Sequence, residues 1–324
     1  MPHALLFTGI EGVGREKAAL TFAKACNCRR NRMPPESTPS HASDPAAEIP
    51  CGVCRSCRKI ESGNHPDILH INPSGRKILI DQIRSLCELL TMKPYEADVR
   101  VVLISQAHTM NDSAANALLK MLEEPPDKTV LILTAPNTTD LLPTIASRCQ
   151  HIRFNPISRE TLTDILTSRT DLDPEQAGVV AVMANGSLTQ ALQMASADWV
   201  RQRDWLIKAS GLDQPGKMSS AAISRLLAVA EILAQNRNNL LQRLEVLMFW
   251  IRDLIVYPHD STRIINADRQ DSISRAAGQL PAADLMSGFE AVQSAHKKLQ
   301  SNSNVRLTLE DMFFKLAGLY STVE

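Results

Sequence analysis

The 324-residue chain carries 35 Lys and Arg against 35 Asp and Glu, and 44% of its residues are apolar. That length supports two or three domains with cores of their own, and the zero net charge argues against gripping nucleic acid unaided, which usually leaves a basic excess. No apolar run approaches the 18 residues of a membrane span, and the first residues lack the basic and apolar regions of a secretory signal, so a cytoplasmic location is expected.

The first strand is predicted at Ala4–Phe7, followed by Gly9–Lys17, which reads GIEGVGREK, and then by the helix-forming run Ala18-Ala19-Leu20. Strand, Gly-rich turn and helix are the setting of a Walker A phosphate loop. A working loop follows its last glycine with Lys, which reaches the β- and γ-phosphates, and then Ser or Thr, which ligates Mg²⁺. Here Gly9, Gly12 and Gly14 are followed by Arg15 and Glu16. Glu16 would set a negative charge against a triphosphate, and Lys17 lies two positions too far along the helix. ATP binding is not expected.

Seven cysteines, an odd number, argue against a disulfide framework. Three of them, Cys51, Cys54 and Cys57, have C-x₂-C-x₂-C spacing. Thiolates two residues apart on a tight turn can share one Zn²⁺, and tetrahedral closure requires a fourth ligand. Cys28 is the first candidate, with Cys26 and His41 behind it. Between Cys28 and Cys51, the five prolines and many polar residues of 29–50 show no periodicity and predict a surface loop. Such a loop closes at small entropic cost. A four-cysteine site leaves no open position, so zinc here would serve folding or docking rather than catalysis.

Further strands are predicted at Ile68–Ile71, Val101–Ile104, Val130–Leu133 and His151–Phe154. A helix carrying Ala115, Leu118, Leu119 and Leu122 on one face is expected to start at Asn111 or Asp112 and to stop at Pro125-Pro126. Strands alternating with helices predict a parallel α/β sheet covered on both faces. A P-loop ATPase places carboxylates after a buried strand to hold Mg²⁺. The matching strand ends instead in Ser105-Gln106-Ala107-His108. Cys87 falls on an apolar helical face and is assigned to the core. His65, His70 and His108 stand singly and are read as structural. Ser147-Arg148-Cys149 enters the last strand. An arginine on a rigid strand edge can reach across a subunit boundary to a neighbour's γ-phosphate.

After about Pro156 strand signals stop. Short helices are expected over 158–205, with a start at Asp173-Pro174-Glu175 and a stop at Asn185-Gly186. Gln214–Ser220 reads as a linker. Beyond it, Leu240, Leu241, Leu244, Leu247, Met248, Ile251, Leu254 and Ile255 form a wide apolar stripe, and a last helix is predicted over Val305–Tyr320.

Together these segments resemble the clamp-loader AAA+ subunits of bacterial DNA polymerase III, over nearly the whole chain. The carriers are GIEGVGREKAALTFAKAC with the cysteine module after it, Asn64-His65-Pro66-Asp67, NALLKMLEEPP (Asn116–Pro126), Ser147-Arg148-Cys149, Gly186-Ser187-Leu188 and Asn304-Val305-Arg306-Leu307. The resemblance implies an AAA+ core over 1–156 with a zinc-binding insertion at about 28–60, a helical lid over 157–206 and a C-terminal helical collar over 207–324. It also places Thr189 where active relatives carry a sensor arginine, and Arg148 at an arginine finger offered to the next subunit. The implied chain does not fire ATP itself. It joins ATP-hydrolysing gamma/tau subunits and a delta subunit, and through them serves the sliding clamp and primer-template DNA. Two other readings stand beside this one. The first is an active P-loop ATPase of the gamma/tau type with a non-standard loop. The second is a zinc-dependent nucleic-acid-binding module built on Arg55, Arg58 and Lys59, for which there is little aromatic interleaving.

Overall fold

Five parallel strands form one sheet in the order β2-β3-β4-β1-β5. They are β1 (Ala4–Thr8), β2 (Ile68–Ile71), β3 (Arg100–Ile104), β4 (Thr129–Ala135) and β5 (Gln150–Arg153). The computed structural model describes residues 2–32, 50–196, 199–213, 220–235, 239–301 and 303–318. His41, most of the 29–50 loop and all but Ser220 of the Gln214–Ser220 stretch lie outside them. The described part of the loop includes a 3₁₀ turn at Arg29–Arg32.

The central strands β1, β3 and β4 are buried along their whole length, which is why they read as continuous apolar runs rather than alternating ones. The edge strand β5 is exposed throughout. Alternate residues feed two cores. Leu6, Val102, Ile104, Leu131 and Leu133 pack against α3 (Ile80–Leu90), α4 (Asp112–Glu123) and α5 (Pro143–Ala146). Leu5, Phe7, Val101, Leu103, Val130 and Ile132 face α1 (Arg15–Asn27) and Ile60 of α2 (Arg55–Glu61). The two-residue period of a strand makes both faces apolar. In α4, Asn111 caps the helix by accepting from the Ala114 backbone N–H at 2.8 Å. Ala114, Ala115, Leu118, Met121 and Leu122 are its buried face.

The chain divides into two compact units: residues 1–157 with Ser187–Thr189, and residues 158–186 with 190–324. The second is helical among the described residues: α6 (Arg159–Arg169), α7 (Pro174–Met183), α8 (Leu188–Ser196) from Gln190 onward, α9 (Trp199–Ser210), α10 (Ser220–Gln235), α11 (Leu240–Val256), α12 (Gln270–Ala277), α13 (Ala282–Gln300) and α14 (Val305–Gly318). Asp173 caps α7 with Pro174 in its first turn, and Asn185 and Gly186 take positive φ just after it. The stripe on α11 is interior: Leu240, Leu244, Leu247, Ile251 and Leu254 are buried, and the helix packs against α9, α12 and α13. Buried polar groups pin the connections. Arg203 of α9 forks onto Asp268 at 2.9 and 2.5 Å, and Asp253 of α11 accepts the backbone N–H groups of Ile265 and Asn266. No described helix is long and apolar enough to cross a membrane.

Candidate functional sites

The Gly-rich turn runs from the end of β1 into α1. Gly9 has φ +148°, and a Cβ there would stand 2.5 Å from the carbonyl oxygen of Phe154. Gly12 has φ +77°, and its Cβ would meet Ser187 Oγ at 2.2 Å. Both positions therefore demand glycine on conformation and on space. The Gly12 carbonyl accepts the Thr189 backbone N–H at 3.3 Å. Gly14 precedes α1 at φ +104°. Arg15, the first residue of the helix, is buried and donates from its guanidinium to the carbonyl oxygen of Ala135 at the end of β4. Burial lowers its pKa below the usual arginine range, opposed by Glu11 and Glu16. Glu16 and Lys17 are exposed. At the end of β3, Ser105 is buried and bonded through its N–H to Ile71, and Gln106 turns at φ 50° with its N–H on Thr134 Oγ1.

Arg148 lies between α5 and β5. Its guanidinium donates to Glu123 Oε1 at 2.6 Å and to the Thr144 carbonyl at 3.0 Å, with 37% of the side chain exposed. Glu123 is the last residue of α4. Glu123 stands inside NALLKMLEEPP with no local signal of a role. Its two consecutive glutamates are alike in sequence, and only the fold brings the first of them to Arg148.

Four thiols meet in the insertion. The Sγ atoms of Cys28, Cys51, Cys54 and Cys57 all lie within 4.8 Å of one another. Four sulfurs around a zinc at about 2.3 Å would be roughly 3.8 Å apart, so the set fits a tetrahedral Zn²⁺ with modest contraction. Cys26 is not among them; burial raises its thiol pKa. The pocket lowers two of these thiols and raises a third. Against the upward push of burial, the N–H groups of Cys57 and Arg29 and hydrogen bonds from neighbouring thiols bring Cys54 down to about 6. Burial and the neighbouring Cys54 take Cys57 up to about 12. Cys28 is lowered, burial being outweighed by N–H groups of Cys51 and Arg30.

Just downstream, Asp67 is buried and accepts the backbone N–H groups of Tyr95, Glu96 and Ala97 at 2.8, 2.8 and 2.9 Å, with Arg100 at 3.5 Å. His65 is buried and only partly satisfied. Its Nδ1 accepts the Asp67 N–H at 3.2 Å, while its buried Nε2 has no hydrogen-bond partner among the described residues and lies 3.9 Å from Glu96. Burial lowers its pKa and keeps the ring neutral. His108 Nδ1 is likewise buried without a partner among the described residues. His70 is exposed, and Cys87 is half-buried against the α3–α4 core.

A parallel sheet in this strand order, with the Gly-rich turn between its first strand and first helix and a second unit that is helical among its described residues, defines a P-loop protein of the AAA+ type. Residues 1–158 match the family model described as DNA polymerase III, delta subunit, and residues 218–317 match the model of its C-terminal part. The delta' subunit of DNA polymerase III from Bacillus subtilis (strain 168) is 31% identical over 98% of this chain and 91% of its own length. The tau subunit of the same organism is 26% identical over 97% of this chain, which spans 57% of that relative. Among solved structures, a DNA polymerase III gamma subunit-related protein from Thermotoga maritima aligns over 98% of this chain and 94% of its own, with 18% identity and a TM-score of 0.48. The chain belongs to the delta' family of DNA polymerase III clamp-loader subunits.

Proposed function

We propose that this chain is the member of a clamp loader that does not hydrolyse ATP and that completes the ATP site of a neighbouring subunit with Arg148. The observation that carries the first half is the direction of Arg15. The cation that follows the last loop glycine points inward to Ala135, and no carboxylate follows β3 to hold Mg²⁺. The second half is supported by the placement of Arg148 between a short helix and an edge strand, with its guanidinium partly exposed. An arginine held there can meet the charge that develops on a neighbour's γ-phosphate.

Within this reading, residues 157–206 act as lid and 207–324 as the collar through which the chain joins gamma/tau and delta subunits. The assembly opens the sliding clamp and sets it on primer-template DNA in the cytoplasm. Zn²⁺ is held by Cys28, Cys51, Cys54 and Cys57 and cross-links the insertion. Its donor set leaves no open coordination position, so it supplies structure rather than catalysis.

The test is reconstitution of the loader with Arg148→Ala. DNA-stimulated ATP hydrolysis is expected to fall about tenfold or more while the variant assembles and melts like the parent. Unchanged hydrolysis would remove the trans role.

A further inference from the structure

The Glu123–Arg148 pair joins two backbones that are each pinned by the core. Leu122, beside Glu123, and Ile145, three residues before Arg148, are both 1% exposed, and Cys149, beside Arg148, packs against the same cluster. From these anchors Glu123 Oε1 and the Thr144 carbonyl take one donor from each terminal nitrogen of the guanidinium, at 2.6 and 3.0 Å. Two of its five donors are thus engaged, and three remain to meet an anion.

The pair is too exposed to serve folding. Its side chains are 37% and 52% accessible, and ion pairs of that exposure contribute little to stability. What the pair does provide is orientation. An arginine on a flexible stem samples many rotamers, and a charge-assisted hydrogen bond to a carboxylate selects among them. Glu124, the next residue, is exposed, and among the described contacts only Glu123 pairs with Arg148.

We propose that Glu123 is the positioning residue of Arg148, setting the direction in which the guanidinium leaves this subunit towards a neighbour's nucleotide. The proposal rests on the trans role of Arg148. Glu123 does not touch the nucleotide. It acts by ordering the arginine before the γ-phosphate is met, so its loss falls on the rate of the chemical step rather than on nucleotide affinity.

The experiment is steady-state kinetics of the reconstituted loader with Glu123→Ala, Glu123→Gln, Glu124→Ala, Arg148→Ala and the Glu123→Ala/Arg148→Ala double variant. Glu123→Ala should lower kcat for DNA-stimulated hydrolysis by about tenfold and leave KM for ATP within about twofold, with an unchanged melting temperature. Glu123→Gln, whose amide oxygen still accepts from the guanidinium, should recover most of the loss. Glu124→Ala, with the same change of charge, should match the parent, and the double variant should be no worse than Arg148→Ala. If Arg148→Ala impairs the loader and Glu123→Ala does not, the positioning role is wrong and the trans role stands. If Arg148→Ala has no effect, both are wrong. A loss that Glu123→Gln does not recover, or that adds to the loss from Arg148→Ala, also overturns the proposal.

Discussion

Arg15 donates its guanidinium to the carbonyl oxygen of Ala135, tying the first turn of α1 to the end of β4. In a nucleotide-binding loop the side chain after the last glycine faces the phosphates. Here the cation is buried against backbone. Arg15→Ala would leave a buried carbonyl without this donor and is expected to cost about 1–3 kcal/mol, read as a lower midpoint in urea at unchanged slope. A variant as stable as the parent would show that the contact is incidental.

Zinc removal tests the cysteine cluster. The four thiols gather residues that the sequence separates by the 22 residues between Cys28 and Cys51. Purified protein should carry one zinc per chain. A strong chelator, or Cys57→Ser, should destabilise it by several kcal/mol, less than the roughly 10–16 kcal/mol of isolated zinc-finger peptides because the sheet has its own core. Metal content well below one per chain, or a melting temperature indifferent to chelation, would contradict the assignment.

Asp67 predicts an acid-sensitive step. Burial pushes its pKa up, but the N–H groups of Glu96, Tyr95 and Ala97, with Arg100 beside it, outweigh that and hold it below the usual carboxylate range. A carboxylate with a depressed folded pKa contributes stability that is whole above its unfolded value of about 3.9 and is lost as pH falls through the folded value. Asp67→Asn should cost about 3 kcal/mol at neutral pH, since it leaves Arg100 buried without its partner charge. It should also flatten the fall in melting temperature below about pH 4, the unfolded value. Equal acid slopes in parent and variant would exclude Asp67 as the titrating group.

The sheet was legible because β1, β3 and β4 are buried on both faces, so Ala4–Phe7, Val101–Ile104 and Val130–Leu133 stand out as unbroken apolar runs. The start of α4 was legible because Asn111 is both a good cap and a real one. Spacing alone singled out Cys51, Cys54 and Cys57, since ligands on one turn carry their geometry in the sequence. The remaining features arise from long-range contacts that no local pattern encodes. Arg15 could have faced outward or inward, and 120 residues separate it from Ala135. Glu123 reaches Arg148 across 25 residues. His65 shows the same limit: nothing local tells that its Nε2 is buried away from any hydrogen-bond partner among the described residues.

Nucleotide binding and hydrolysis by the purified chain, with and without Mg²⁺, test the central claim most directly. The inward Arg15, the exposed Glu16 and the carboxylate-free end of β3 predict no saturable ATP binding at micromolar concentrations and no turnover. Mg²⁺-dependent hydrolysis by the chain alone would contradict the account and make this subunit a motor in its own right.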